Sequence, residues 1–465
     1  MNTYQDLEKV AGDEQQKISF VRGCIDDFKS SDEYRFGLDA KQYYEGINPK
    51  LKKYQKIIYD MQGAGHVDAV SPNHKIFSRY VFSAITEGTQ YLLSNGALFD
   101  KEDTKNKLGG DKFDKTLQRL LTDAQIYGVG WGFWYFDDTD QTEKLSVIPF
   151  LQFVPLKDET TSAVRAGIRF WRIDDNKPLR FTLYEVDGYT EYIQKAGEKP
   201  EILHEKRDYK QKVKTYGALD MPDEIVESEN FPDFPIIPLY YINQKSILWG
   251  NTAAVDAYDL LNSKMVNNID VGNLVYWVLK NCNAMDENDD ALFIANLVKS
   301  HVMHADGDDG ASAEPHQIEA PVAGTEVGIE RIKKLLDDNF MTASTETLSA
   351  GNVTATQIKA SYHRLDMKTA QAEYCVLDFM ERLYIVAGID PAEPMPTFDW
   401  ARDYNKAEEV QTIIQAAQFL DSETVTRMIL TVMGKVDMID DVLQRKQDEA
   451  LRAYNLMMQQ QNAPE

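Results

Sequence analysis

Apolar residues along the chain follow two rhythms, and the change comes near residue 128. "SPNHKIFSRYVFSAITEGTQYLLSNG" places Ile76, Tyr80, Val81, Ile85 and Leu92 at helical spacing, with Gly96 where a C-cap belongs. "DKFDKTLQRLLTDAQIYG" repeats the period through Phe113, Leu117, Leu120, Leu121 and Ala124 and stops at Gly128. Residues 1 to about 60 are more polar and also predict helices. Beyond Gly128, aromatic and β-branched residues dominate in "WGFWYFDD", "LSVIPFLQFVPL", "VRAGIRFWRI", "LRFTLYEVDGYTEYIQ" and "ILHEKRDYK". These predict antiparallel strands to about residue 240, packed on the preceding helices, with Asp187-Gly188 as a hairpin turn. "FPDFPIIPLYYINQ" carries three prolines and predicts an extended connection rather than a central strand.

The helical rhythm returns at Thr252, with Val255, Tyr258, Leu261, Met265 and Ile269 on one stripe, and runs into the apolar strand "LVYWVLK". Residues 281–324 form an acidic, turn-rich insert with a short helix, "ALFIANLV", and a strand, "SHVMHAD". A second helix starts near Thr325 and ends at Phe340. Two helices flanking one insert tend to lie antiparallel, with the insert at their tip. The next stretch, "MTASTETLSAGNVT", is small, polar and nearly uncharged. Thr354 and Gln357 have the spacing of a capping box. It opens a long helix carrying Ile358, Tyr362, Leu365, Leu377, Met380 and Tyr384, closed by Gly388 and Pro391. A Pro-rich joint follows, then about 60 helical, charged residues. The fold class is α+β.

With 465 residues the chain is longer than one core usually serves. Its net charge of −25 opposes tight binding of nucleic acid, which needs Lys and Arg on phosphates, but does not exclude a surface past which DNA slides. Three scattered cysteines, Cys24, Cys282 and Cys375, predict no disulfide framework and a reducing compartment. The N-terminus lacks a signal-peptide pattern, and no apolar run is long enough to cross a bilayer. A soluble protein made in the cytoplasm is expected.

Catalytic and metal motifs are weak. "GVGWGF" has the wrong spacing for a dinucleotide loop and runs from helix to strand, so its glycines are read as packing sites. Cys282, His301, His304, His316, Asp306 and Asp308 cluster in the insert without the spacing of a zinc or EF-hand site. The Asp doublets at 137, 174, 289 and 337 are read as solvated charge, not as the carboxylate pair of a glycosidase. Neither a cofactor nor a catalytic residue is expected. The rival reading is an acidic hydrolase with a β-rich core.

In order along the chain, "YYEGI", "NHKIFSRYVFSAITEGTQYLLSNG", "DAQIYGVGWGFWYFD", "FPIIPLYYINQ", "AAVDAYDLLNSKMVNNIDVGNLVYWVLK" and "NVTATQIKASYHRLDMKTAQAEYCVLDFM" resemble bacteriophage portal proteins of the broad group that includes the portal of Bacillus phage SPP1. These stretches span most of residues 40–390. The resemblance implies a portal fold: a mixed helical and antiparallel β wing, a two-helix stem, a small α/β clip, a long wing helix and a helical C-terminal crown. By position, residues 1–251 are the N-terminal arm and wing, 252–275 and 325–340 the stem, and 276–324 the clip. Residues 341–354 are the tunnel loop, 355–400 the long helix and joint, and 401–465 the crown and tail.

It further implies a homo-oligomeric ring of about twelve subunits at one vertex of the capsid in the virion. Double-stranded DNA passes through without sequence specificity. The partners are the large terminase, major capsid and scaffolding proteins, and head-completion or connector proteins, with no membrane. The tunnel-loop residues facing DNA would be Thr342, Ser344, Thr345, Glu346, Thr347, Leu348, Ser349, Gly351, Asn352 and Thr354. Those of the stem would be Asp256, Asp259, Asn262, Lys264, Asn267, Asp270, Lys333 and Lys334. Those of the clip, facing partners, would be Asp286, Glu287, His301, His304 and His316.

Overall fold

The computed structural model describes residues 2–59, 63–69, 71–214, 224–272, 275–280, 302–305, 312–317, 322–343, 355–401, 406–435 and 438–449. Its contacts divide the chain into two units: residues 1–342 with 364–400, and residues 343–363 with 401–465. The first opens with helices α1 (Tyr4–Val10), α2 (Glu14–Ser30), α3 (Asp32–Tyr44) and α4 (Pro49–Lys53). Each starts on a side chain that accepts a free N-terminal amide: Thr3, Asp13, Ser31 and Asn48. A short ribbon, β1 (Ile57–Tyr59) with β2 (Gly65–Val67), precedes helix α5 (Tyr80–Leu93). The helix begins at Tyr80, so Ile76 lies outside it. Ile76 belongs to an extended segment whose amides are met by other partners, described below. Strand β3 (Ala97–Leu98), helix α6 (Glu102–Lys107) and helix α7 (Asp111–Tyr127) follow. Gly128 closes α7 at φ +89°, a left-handed conformation that costs glycine nothing.

Two antiparallel sheets fill the β region. β4 (Val129–Asp137) is the centre of a three-stranded sheet between β5 (Thr142–Ile148) and β13 (Ile236–Tyr240). The other sheet is a meander of β6 (Phe153–Lys157), β7 (Val164–Trp171), β8 (Leu179–Glu185), β9 (Gly188–Gln194) and β10 (Glu201–Arg207). A separate ribbon joins β11 (Lys210–Lys214) and β12 (Glu224–Glu229). The β8–β9 turn is centred on Val186-Asp187, because Glu185 already pairs with Gly188. The sequence reading therefore put that turn one residue late. The proline-rich connection is a strand after all. β13 sits at the sheet edge, where Pro238 opposite Trp131 leaves no amide missing from an interior ladder.

The large core lies where α7 and the long helix meet the sheets. Leu117, Leu120 and Leu121 of α7, Trp131 and Trp134 of β4, Phe153, Ile168 and Phe181 of the meander, and Phe379 and Leu383 are all buried in it. The glycines of "GVGWGF" serve this packing. A Cβ on Gly130 would sit 2.4 Å from the Leu120 carbonyl oxygen, and one on Gly132 would sit 2.9 Å from the Phe379 ring. This supports the packing role given to those glycines from sequence.

Helix α8 (Thr252–Gly272) leads to a three-stranded sheet with β14 (Val275–Lys280) between β15 (Val302–Ala305) and β16 (Ser312–Gln317). Helix α9 (Val322–Phe340) returns, starting at Val322 rather than near Thr325. Leu261 of α8 faces Gly328 of α9, while Val255 and Leu336 share one core, so the two helices run antiparallel. Helix α10 (Ala355–Val386) closes on Gly388 at φ +60°. β17 (Thr397–Phe398) pairs back onto β3. In the second unit lie α11 (Lys406–Ala416), α12 (Ser422–Val432) and a final helix over 439–449. Lys446 reaches from that last helix to the Thr426 hydroxyl at 2.7 Å.

Gly130→Ala forces a methyl into backbone and lowers unfolding stability by about 3 kcal/mol, measured by urea denaturation. Gly12→Ala, with nothing within 4 Å of the added carbon and no left-handed φ, stays within about 1 kcal/mol.

Candidate functional site at the root and exit of the two-helix stalk

The buried row of α8 is not the apolar stripe read from its sequence. Val255, Asp259 and Ser263 are the buried residues, while Ile269 is 39% exposed and Tyr258, Leu261 and Met265 are only partly covered. The reason is an arm of the same chain, residues 43–78, laid along α8 and bonded to its polar side chains. Tyr43 donates its hydroxyl to Asp256 at 2.5 Å, and the Lys50 ammonium meets the other Asp256 oxygen at 2.8 Å. Asp259, 1% exposed, accepts Asn48 Nδ2 at 2.9 Å and the Ser78 amide at 2.9 Å. Ser263 Oγ accepts the Ile76 amide at 2.9 Å. Asn267 accepts the His74 amide at 2.7 Å, and Asp270 lies 2.9 Å from His74 Nε2. Burial raises the Asp259 carboxyl above its usual range, and the two donors partly offset that rise.

Beneath this seam a second, smaller core holds the stalk to the wing. Ala40 and Tyr43 of α3, Val81, Ala84 and Ile85 of α5, Val255 of α8, and Leu336 and Phe340 of α9 form it. Tyr80 stands edge-on to Phe340 at 5.4 Å and donates to Asp337 at 2.8 Å. Helix α9 then ends abruptly. Met341 turns left-handed at φ +52°, and the Thr342 amide bonds back to Asp337 O at 3.1 Å, the geometry of a Schellman stop without glycine. Lys368 of α10 caps this end from within. Its Nζ is 3.1 Å from Phe340 O and 3.3 Å from Ala84 O, and the residue is 3% exposed. A cation at a helix C-terminus is favourable, but burial opposes the charge and pushes the ammonium down to about 8, with Glu87 pulling weakly the other way. Arg364, one helical turn earlier, pairs with Asp338.

The arrangement is two antiparallel helices rooted in a core with α3 and α5, with the β14–β16 sheet between them in sequence and a capped end on α9. Residues 33–450 match the family described as "Phage portal protein, SPP1 Gp6-like". The chain belongs to that portal family. It is accordingly a non-enzymatic structural protein of the phage virion, a connector in DNA packaging, and the hydrolase alternative falls. The portal protein of Clostridium phage phiCD119 is 22% identical over 445 residues, covering 90% of this chain and 91% of that one. Among solved structures, the neck of a native gene transfer agent particle computed with C12 symmetry aligns with a TM-score of 0.42 at 12% identity, covering 75% of this chain and 89% of that one. The virion of a native gene transfer agent particle aligns with a TM-score of 0.38 at 10% identity, covering 76% and 89%.

Of the stem residues named from sequence, Asp256, Asp259, Asn267 and Asp270 are brought together by the arm, and Asn262 bonds to its own helix at Tyr258 O. Lys264, Lys333 and Lys334 are exposed. Thr342 is 9% exposed and bonded to Asp337, so it belongs to the helix stop, not to an open loop. Ser344, Thr345, Glu346, Thr347, Leu348, Ser349, Gly351, Asn352 and Thr354 lie outside the described residues, as do Asp286, Glu287 and His301. His304 stands in register with Leu279 and His316 with Tyr276, on strands either side of β14. Sequence reasoning missed Asn48, His74, Ser78, Tyr80 and Lys368. Asn48-Pro49 was legible as a helix start, but nothing in the chain announces that its amide also reaches α8.

Asp259→Ala leaves the Asn48 amide and the Ser78 N–H without their acceptor and lowers stability by about 2 kcal/mol in denaturant titration. Lys368 has a different signature. Because its folded pKa is depressed, the unfolded chain holds a proton that the native chain lacks between about 8 and the usual lysine value of 10.5, so stability rises with pH across that window. The urea midpoint of the wild type should rise there relative to Lys368→Met, in which this contribution is gone.

Proposed function

We propose that the chain closes into a ring of about twelve subunits at one capsid vertex, with α8 and α9 forming the wall of a channel for double-stranded DNA. The single observation that carries this reading is the antiparallel stalk rooted in the wing, in a chain of the portal family. At 1.5 Å per residue, α8 alone spans about 30 Å, long enough to separate a docking tip from a capsid-embedded wing. A heterologous contact repeated around an axis closes into a ring when its surfaces are rigid. The second core and the polar seam supply that rigidity at the stalk's root.

In this reading the tip carrying β14–β16 receives the large terminase during packaging and head-completion or connector proteins afterwards. The wing meets scaffolding and major capsid proteins. Residues 344–354, beyond the helix stop, face the DNA as a tunnel loop. The net charge of −25 per chain keeps phosphates from being trapped, so the DNA moves with little friction and without sequence preference.

The loop assignment is tested by Thr345→Lys with Ser349→Lys. The expected result is unchanged particle assembly by sedimentation and a clear fall in packaged DNA, because each subunit adds two phosphate-binding charges to the channel. Wild-type packaging by assembled particles would show that the loop is not at the DNA.

A further inference from the structure

The ribbon β1–β2 is the most open part of the arm among the described residues. All six of its residues are exposed. Side chains alternate along a strand, so Ile57 and Tyr59 share one face with Val67, which pairs directly with Ile57, while Ile58 is on the other. Tyr59 is 72% exposed and Ile57 53%. The ribbon therefore presents apolar side chains to water on both faces, and among the described residues neither strand pairs with anything else. A two-stranded ribbon of this kind is marginal alone in water.

Its root, however, is built. Asp68 is 6% exposed, its amide donates to Lys56 O at 2.8 Å, and its carboxylate accepts the Ser71 amide at 2.9 Å and lies 3.4 Å from the Lys56 ammonium. Below that root the arm is fastened to α8 at Asn48, Lys50, His74 and Ser78. A segment pinned at both ends whose strands expose apolar side chains is shaped to be covered by a surface outside its own subunit.

Charge indicates which surface. The root carries Lys52 and Lys53, both exposed, beside Lys50 and Lys56, which Asp256 and Asp68 engage, in a chain whose net charge is −25. Another copy of this chain is thus an acidic partner for a basic root. The stalk of such a copy also offers apolar positions that its own fold leaves open: Val266 and Ile269 on α8, and Val327 and Leu335 on α9. Resting on the ring reading above, we propose that the β1–β2 ribbon of one subunit docks on the α8–α9 stalk of the next and clamps neighbouring stalks together. DNA is the less suitable occupant, since phosphates reward the lysines but not four exposed apolar side chains.

The test places the photo-crosslinker p-benzoylphenylalanine at Tyr59 of the full-length chain and irradiates assembled particles. The expected product is a covalent pair of two copies, with the second crosslinked residue inside 252–272 or 322–340 by peptide mass spectrometry. A crosslink to another part of the neighbour, to capsid protein or to DNA overturns the proposal. So does the absence of any crosslink from particles that form normally. A companion variant, Ile57→Glu with Ile58→Glu, should raise the concentration needed for assembly by about tenfold or more. Its thermal unfolding should be unchanged, since both residues are exposed. Assembly at the wild-type concentration contradicts the clamp, whereas an unsubstituted chain that never assembles overturns the ring reading itself.

Discussion

The stalk depends on how it is held at its base. Two helices packed only on each other bury little, and α8 buries one apolar and two polar residues in its covered row, Val255, Asp259 and Ser263. What fixes it is the combination of the small core around Phe340 and the row of hydrogen bonds from the arm to Asp256, Asp259, Ser263, Asn267 and Asp270. The buried bond from Asn48 to Asp259 has strict geometry, so it helps to set the angle and register of the stalk in a way that apolar contact alone does not. The arm in effect converts a polar helix face into a fixed one and leaves other positions of α8 free for a neighbour.

The exit of the stalk is held with the same economy. Helix α9 could have ended on glycine; instead Met341 takes the left-handed conformation, and Lys368, Tyr80 and Arg364 grip the last turn from three directions. A buried ammonium is costly, and its two carbonyl partners offset part of that cost. It ties the last residue of α9 to α5 and α10 at once.

Much of the wing was legible because local rules and tertiary packing agreed there. Gly128 stops α7 where the apolar period stops, and the glycines of "GVGWGF" make room for Leu120 and Phe379 as their setting between helix and strand suggested. The misses share a cause. The stripe on α8, the place of Ile76, and the strand at Pro238 were each decided by a partner far away in sequence: the arm for the first, α8 for the second, and β4 for the third. A helical period shows which residues share a face, but not which face is buried. Asn48 reaching Asp259 across 211 positions leaves no mark in either local sequence.

The central claim is that this chain is one segment of a closed ring. Imaging the purified full-length protein as single particles, with its mass measured in the same buffer, tests it most directly. The account predicts closed rings with a stalk protruding from a broader wing, at about twelve times the chain mass of 53.1 kDa. Monomers or dimers at every concentration, with no ring among them, would contradict it.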